Sequence, residues 1–557
     1  MADSVGDVLK KIAFGIELTG GNPMRARTYA GAARTLKKIP DLKAAREAGE
    51  IAKIRGIGKS MLAIVDAVIA GEPVPKLVEL QEQIPPGMWE LRALKGMGPK
   101  KLRRLWQELD VTSVAELEYA CNENRMVELS GFGKKTQDTV LQNIAALRER
   151  AGQLRLDHAD ALAQEWCERL LTLGADRAEV TGDLRRRTET VGGVELLVVG
   201  DGLNAAIVGG VARWEDGVQW ADIDADGGRV SVAICPGEDL WGVFSVLCTG
   251  SAEHVAALAA RAGGMGAELG PDGLVVDGQE VPCFEEDELY RELGLLPTTP
   301  ERRSAGVPLV EIGKAGPRLV ELGDLRGALH NHTTYSDGIH SLEVMRKAAA
   351  DFGLQYLGIS EHSQTAAYAG GLPPEVLREQ IAAIAALNAD GGCVLLTGIE
   401  SDILRDGSLD YDDDLLGALD VVVASVHNRY GQGPEDTTAK MVAAASNPLC
   451  HIIGHPTGRL LLGRPATEYD VAAMLDAAAA RGAAVELNAN PQRLDLNEHW
   501  LAESKARGVP VSISADAHSA HALEHLKYGI DIARRAGLTP DDVLNCRPIE
   551  ALREWLA

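Results

Sequence analysis

Hydrophobic and polar positions along the chain fall into three regimes. Up to about residue 150, apolar residues recur at helical spacing and are interrupted by short Gly-apolar-Gly turns, which predicts a wholly α-helical region. In the middle, the runs 194–199 (VELLVV) and 229–234 (RVSVAI) read as strands. From Leu325 onward, short apolar runs alternate with Ala-rich helical patterns. The runs are 325–332 (LRGALHNH), 356–362 (YLGISEH), 393–400 (CVLLTGIE), 420–427 (DVVVASVH), 451–456 (HIIGHP), 483–490 (AAVELNAN) and 509–518 (VPVSISADAH). Strand–helix alternation of this kind predicts a parallel α/β sheet, closed or nearly closed into a barrel. In a barrel the C-terminal strand ends share one mouth, so polar residues that end each run would converge there.

Length and composition add limits. A chain of 557 residues is too long for one core and implies several domains. With 46% hydrophobic and 25% charged residues it matches soluble globular proteins, which excludes a disordered or collagen-like chain. No apolar stretch approaches the ~20 residues that cross a bilayer, and the start MADSVGDVLKK lacks an apolar signal core, so the expectation is a cytoplasmic protein with no membrane partner. Eight cysteines without a CxxC pair fit reduced thiols better than a disulfide framework or a thiolate zinc site. A net charge of -25 argues against a polyanionic partner. The first 150 residues are slightly basic, however, and the acidic excess lies beyond them, so contact with nucleic acid is expected to begin in the N-terminal region.

Three segments there share one form: Ile54-Arg-Gly-Ile-Gly-Lys59, Leu94-Lys-Gly-Met-Gly-Pro-Lys-Lys101 and Leu129-Ser-Gly-Phe-Gly-Lys-Lys135. Paired glycines allow a tight turn whose apolar residue plugs inward while backbone N–H groups face outward, where they can hold a phosphate at a helix start. One such turn is an ordinary helix cap. Three, each followed by lysine, read as a DNA-backbone site made of Gly56, Gly58, Lys59, Gly96, Gly98, Lys100, Lys101, Gly131, Gly133, Lys134 and Lys135.

In the C-terminal third, the runs bring together His330, His332, Asp337, His362, Glu400, His427, His455, Asp516 and His518. His-x-His and Asp-x-His put two donors on one strand face, because side-chain direction repeats every second residue. Six of the chain's 13 histidines fall at predicted strand ends among three carboxylates, which predicts a metal site. Cations held by imidazoles and few carboxylates keep positive charge for a phosphate and acidify water, the chemistry of phosphoester hydrolysis. Mixed ligation of this kind suits Mn, Zn or Fe. Arg459 and Arg493, just beyond strand ends, are candidate phosphate clamps, with Asn488 and Asn490 nearby on one strand face. Asp402, Asp412, Asp413 and Asp414 read as solvated acids. His340, His451, His499, His521 and His525 receive no role.

The N-terminal turns resemble helix-hairpin-helix motifs. With them in place, the segments 182–199 (GDLRRRTETVGGVELLVV), 229–234 and 247–254 (LCTGSAEH) resemble the palm and thumb of family X DNA polymerases. That resemblance implies three metal-binding carboxylates, and here their positions hold Gly193, Glu195 and Ser231. One carboxylate of three cannot hold two hard cations, which predicts weak or absent nucleotide addition. The competing reading is that Asp222, Asp224 or Asp226 joins Glu195 to rebuild a site. The lysine of the related lyase activity is replaced by Ile64. The order of HNHTTYSDG, SEH, GIES, SVHN, GHPTGR, ELNANPQRLDL and SADAH resembles the polymerase and histidinol phosphatase (PHP) domain fused to bacterial family X polymerases. The resemblance implies a distorted TIM-like barrel holding three divalent metals. One would be bound by His330, His332, Glu400 and Asp516, the second by Glu400, His427 and His455, and the third by Asp337, His362 and His518.

The sequence therefore predicts a multidomain chain. Its expected parts are a helical DNA-binding domain (1–80), a helix-hairpin-helix fingers-like domain (81–152), a degenerate α+β nucleotidyltransferase-like palm (153–235), a thumb-like part (236–300), a linker (301–324) and a PHP metallohydrolase (325–557). The expected function is a DNA-repair phosphoesterase, acting as a 3'-5' exonuclease on gapped or nicked duplex and extending to 3'-phosphates or abasic sites. His330, His332, Glu400, Asp516 and Arg459 are its expected catalytic residues, and a monomer is the expected state. The alternatives are an active gap-filling polymerase with a PHP exonuclease, a small-molecule phosphatase of the PHP type, and a non-catalytic DNA-end scaffold.

Overall fold

The computed structural model describes residues 5–37, 39, 42–54, 57–94, 96–149, 152–225, 227–427 and 433–557. They form two compact units that divide after residue 147. The first is all helical. Its first helix, Val5–Leu18, buries Val5, Val8, Leu9, Ile12 and Ile16, an apolar stripe at three- and four-residue spacing. The helices Lys59–Ala70, Pro99–Leu109 and Lys134–Glu149 each begin directly after a Gly-apolar-Gly turn.

The second unit begins with a five-stranded sheet in the order Arg177–Thr181, Val194–Val199, Gly228–Ile234, Val218–Ala225, Val211–Glu215. Only the pair Val194–Val199 and Gly228–Ile234 is parallel. Alternation assigns Leu196, Val198, Val230 and Val232 to a core with the helix Leu156–Thr172, and Leu197, Val199 and Ala233 to one with the helix Trp241–Thr249. A three-stranded antiparallel meander over 267–281 follows, packed on Val243, Val246, Leu258, Tyr290 and Leu293.

The ends of residues 301–324, expected as a linker, are tied to their surroundings, while 311–318 are exposed. Arg303 is buried, and Val320 N–H donates to the Leu538 carbonyl at 3.0 Å.

The last part is a seven-stranded sheet whose strands are all parallel and lie side by side in chain order, from Gly327–Ala328 to Val511–Ser514. A single parallel bridge between Asn331 and Ala517 joins first to last and nearly closes the barrel. Tyr356–His362, Val421–Ser425, Ala484–Asn488 and Val511–Ser514 are buried along their whole length, as expected of strands covered by helices outside and side chains inside. The regular strands are shorter than the apolar runs that predicted them. Ile452–Ile453 has two residues, so the polar ends of most runs lie on loops at the mouth. No described helix is long and apolar enough to cross a membrane. The eight cysteines are free thiols, six of them buried.

Glu286, at the start of the helix after the meander, ties it to the helices Gly182–Arg185 and Trp241–Thr249 and to the 300s segment. It accepts from Arg303 Nη1 at 2.9 Å, from Arg185 Nη1 at 2.5 Å and from Ser245 Oγ at 2.8 Å. Burial alone would raise its pKa, but the two guanidiniums outweigh it and bring it down to about 2. Glu286→Gln leaves two charges uncompensated and is expected to cost about 3 kcal/mol at pH 7, read by calorimetry as earlier unfolding. The folded-state pKa is depressed, so this stability is complete above the unfolded value of about 4.3. The gap between variant and parent should therefore close as pH falls toward 2.

Candidate metal centre

Two strands deliver donors directly. Tyr356–His362 ends on His362, whose register partner is Glu400 on the strand Val394–Asp402. The other donors follow strand ends. His330 and His332 flank Asn331, and Asp516 and His518 flank Ala517; since Asn331 and Ala517 form the closing bridge, the period-two rule carries through it and turns all four donors into the mouth. Asp516 and His455 have positive φ, +51° and +25°, so they stand on turns and not on strands as the sequence suggested.

All nine expected side chains meet in one pocket. His330 Nε2 lies 3.4 Å from Glu400 Oε1 and 3.5 Å from Asp516 Oδ1, and His332 Nε2 lies 3.2 Å from Asp516 Oδ1. Glu400 is also 2.8 Å from His455 Nε2, 3.2 Å from His427 Nε2 and 2.9 Å from His362 Nδ1. Asp337 faces His362 Nε2 at 3.4 Å and His518 Nε2 at 3.2 Å. Among the described residues of the second unit, donor atoms close enough to share one ion form four overlapping groups: His330/His332/Asp516, His330/Glu400/His455, His362/Glu400/His427 and His332/Asp337/His362/His518. His332 and His362 each reach two of them, and His455 groups with His330 while His427 groups with His362, pairings the sequence reading did not include.

A divalent cation fits this arrangement. His330 Nε2, His332 Nε2, Asp337 Oδ2 and Glu400 Oε2 are buried yet carry no hydrogen bond, an expensive state unless the atoms serve a ligand. Electrostatics divides the histidines. Burial opposes charge on His330, but Glu486, Asp516 and Glu400 outweigh it and raise its pKa well above the usual value. Asp337 and Glu400 do the same for His362, while Glu400 and Asp402 raise His427 to about 10. His332 falls to about 3 through burial and its neighbours His518 and His362; His455 falls through burial and Arg493.

Behind the donors stand carboxylates that sequence reasoning missed. Glu486 Oε1 is 2.8 Å from His330 Nδ1, and its Oε2 accepts the His455 backbone N–H at 2.5 Å. Asp402, expected to be solvated, is buried and lies 2.8 Å from His427 Nδ1, while Thr365 donates to it at 2.6 Å. Such contacts fix a histidine's tautomer and orientation. The available signal was period two: Glu486 shares a strand face with Asn488, and Asp402 with Glu400. Asn488 itself donates to Asp516 Oδ2 at 3.0 Å, and Asn490 accepts from Gln492 N–H. Asp412, Asp413 and Asp414 are exposed, as expected.

The two arginines separate. Arg493 is buried, with Nε 3.9 Å from Asp516 Oδ2. Arg459 does not stand ready for a phosphate: its fork is held by Glu189 at 2.9 and 2.6 Å, and its Nε donates to the Arg493 carbonyl at 3.0 Å. The expectation that Arg459 clamps substrate is corrected accordingly, because its donors are already used.

In the five-stranded sheet, Glu195 and Ser231 are register partners on adjacent strands, with Gly193 just before the first. Gly182, at φ +62°, leaves the space that the Glu195 carboxylate fills. Asp222, opposite Ser231, is bonded by Ser231 Oγ at 2.7 Å, Arg213 Nε at 2.9 Å and Arg229 Nη2 at 3.2 Å, which bring it to about 2 against the cost of burial. Among the described residues no three-donor group forms around Glu195; Asp226 lies outside the described residues.

In the first unit, Ile57, Met97 and Phe132 are buried between their glycines, while Gly58, Gly96, Gly98, Gly131 and Gly133 are exposed. Lys59, Lys100, Lys134 and Lys135 are exposed; Lys101 is half-buried over the Phe132 ring. Gly56 lies outside the described residues. Ile64 is buried in the core.

Comparison with known proteins gives four family matches: a helix-hairpin-helix domain over residues 3–72, a SAM-like helix-hairpin-helix tandem over 90–144, a DNA polymerase beta thumb over 245–304 and a PHP domain over 328–490. Among individual proteins, the chain is 32% identical to the "DNA polymerase/3'-5' exonuclease PolX" of Bacillus subtilis (strain 168), over 99% of this chain and 98% of that protein. A "probable phosphatase" of Syntrophotalea carbinolica is 32% identical over 30% of this chain and 70% of its own length. Another from Thermoanaerobacter sp. (strain X514) is 29% identical over 41% and 92%.

Restoring the missing carboxylates should not be simple. A Cβ at Gly193 would lie 2.9 Å from the Arg229 carbonyl oxygen, which belongs to backbone and cannot swing away. Gly193→Asp combined with Ser231→Asp is expected to cost about 1–3 kcal/mol and to give no primer extension, checked by calorimetry and by incubation with all four dNTPs.

Proposed function

The chain belongs to the bacterial family X DNA polymerases that carry a C-terminal PHP domain, and on that premise we propose that it works as a metal-dependent 3'-5' exonuclease on gapped or nicked DNA, with nucleotide addition weak or lost. It is a hydrolytic enzyme, and the barrel mouth is where the proposal places the reaction. The observation that carries it is the meeting of six histidines and three carboxylates in one buried pocket, with donor atoms left unbonded.

His330, His332, Glu400 and Asp516 would hold one cation, Glu400 would share a second with His427 and His455, and Asp337, His362 and His518 would hold the third. Bound there, divalent cations supply positive charge for a phosphate oxygen and lower the pKa of water. The protein's own residues do the rest. Glu486 and Asp402 keep His330 and His427 oriented with Nε2 toward the pocket. Arg493 offers a buried guanidinium to a non-bridging oxygen of the scissile phosphate. The exposed turn glycines and the lysines Lys59, Lys100, Lys134 and Lys135 would meet the DNA backbone without regard to sequence. The donor set suits Mn, Zn and Fe alike.

Loss of polymerase activity follows from charge. Glu195 has burial and Asp183 raising its pKa, and its neighbour Asp222 is committed to Arg213 and Arg229. Two hard cations have too few anionic oxygens there.

Trimming of a 5'-labelled strand in gapped duplex with Mn2+ should fall by about a thousandfold in His330→Ala plus His332→Ala, the loss of several kcal/mol of charge stabilisation; equal rates in parent and variant would remove the assignment. Net primer growth by the parent would overturn the polymerase part.

Loading should also release protons. Without metal, the facing carboxylates raise the pKa of His330 and His362 and bring that of His427 to about 10, and a protonated imidazole must lose its proton to become a ligand. Affinity should then rise with pH, about tenfold per unit for each proton displaced. Calorimetric titration of Mn2+ at pH 7 in buffers of different ionisation enthalpy should give about one to three protons per chain; none released would contradict the electrostatics.

A further inference from the structure

We propose that the polymerase-like palm, short of its metal-binding carboxylates, is retained as a working part of the hydrolase, with Glu189 as the positioning residue that sets the loops carrying His455 and Arg493. This rests on the reading that the barrel mouth hydrolyses DNA. Glu189 lies just before the short strand Thr190–Val191, on the connection that continues to Gly193 and Glu195. This connection thus places a carboxylate against a loop at the barrel mouth.

There it meets Arg459 fork to fork, at 2.9 and 2.6 Å, with both side chains mostly buried. The same guanidinium donates from Nε to the Arg493 carbonyl at 3.0 Å and from Nη2 to the Leu494 carbonyl. Arg459 is therefore a cross-link between two mouth segments. One runs back through Gly458 and Thr457, whose N–H groups donate to Asp495 at 2.8 and 3.1 Å, to His455. The other bears Arg493, whose guanidinium lies beside Asp516.

Glu189 is the countercharge that keeps the cross-link in place. Without it, a mostly buried guanidinium would hold two carbonyls but no anion, and would turn toward water. The two loops would then lose a shared anchor, and a displacement of Arg493 by about 1 Å is enough to lower a rate substantially. Among the described residues, two other ties between palm and barrel hold a different element. Arg187 joins Asp160 at 2.5 Å and Asp531 at 3.4 Å, and Arg535 Nη1 donates to the Arg186 carbonyl at 2.5 Å; both hold the helix Leu526–Ala536. Arg187→Gln is consequently a control for docking alone.

The test uses the full chain loaded with Mn2+. In Glu189→Gln, kcat for trimming gapped duplex should fall about tenfold, with KM within about twofold and metal content unchanged, because the nine donors and the DNA-binding turns are untouched. Amide hydrogen exchange at Thr457, Gly458 and Leu494 should quicken by about tenfold, while Arg187→Gln leaves both rate and exchange at parental values. Unchanged kcat in Glu189→Gln, or an equal loss in Arg187→Gln, overturns the proposal. If the parent itself trims no DNA, the functional reading fails, and exchange at the three amides still decides whether Glu189 holds the loops.

Discussion

A carboxylate buried at the end of a barrel strand must be neutralised, and Glu400 is the group around which that requirement organises the C-terminal part. It is 1% exposed, a location that would push an unaided carboxyl toward its neutral form. His427, His330 and His362 instead hold it ionised, well below the usual range. Each histidine is in turn tied to a further carboxylate: Glu486 behind His330, Asp402 behind His427, and Asp337 beside His362. The pocket is thus a lattice of alternating charge whose members cannot be removed singly without leaving a buried ion unpaired. A parallel barrel makes the lattice possible, because it brings strand ends from distant parts of the sequence to one mouth.

Much of this was legible in the residues. The strand runs from 356 and from 393 mark real strands, and all nine donors meet as their spacing implied. Legibility ended where tertiary contact decides. His-x-His and Asp-x-His were attributed to strand alternation, whereas the regular strands stop earlier and a lone bridge between Asn331 and Ala517 preserves the alternation. Asp402 looked solvated because a surface acid and a buried one have the same letter; only the approach of His427 and Thr365 tells them apart. Arg459 looked like a phosphate clamp because its partner Glu189 is 270 residues away in sequence. No local pattern encodes such a pairing. The N-terminal turns were legible for the opposite reason: a plug between two glycines is a local solution, and Ile57, Met97 and Phe132 are each buried as their position demands.

The distribution of charge suggests a division of labour. The acidic excess beyond residue 150 disfavours loose DNA binding over most of that surface, while on the proposed function the exposed lysines at the turns of the first unit would supply screened, sequence-independent attraction. On that proposal affinity and chemistry would reside in different parts of the chain, and the barrel mouth would need to recognise little more than a phosphate and its immediate neighbours. Such a site gains from a narrow set of rigid contacts rather than a broad basic surface. The buried guanidinium of Arg493, next to Asp516, is the group to which the proposal gives that part.

The two carboxylate-bearing sheets differ in what faces the acids, and this explains why one is suited to cations and the other is not. In the barrel, Glu400, Asp337 and Asp516 face imidazoles, which can give up a proton and turn a lone pair on an incoming ion. In the palm, Asp222 faces Arg213, Arg229 and the Ser231 hydroxyl, and Asp183 faces Arg186. Guanidiniums remain charged at any physiological pH and offer no lone pair, so they occupy the place of a cation permanently. Substituting arginine for metal as the countercharge converts a site that must be loaded into one that is already satisfied. A satisfied palm is rigid without a nucleotide or an ion, which is the property required of a body that braces its neighbour through Glu189.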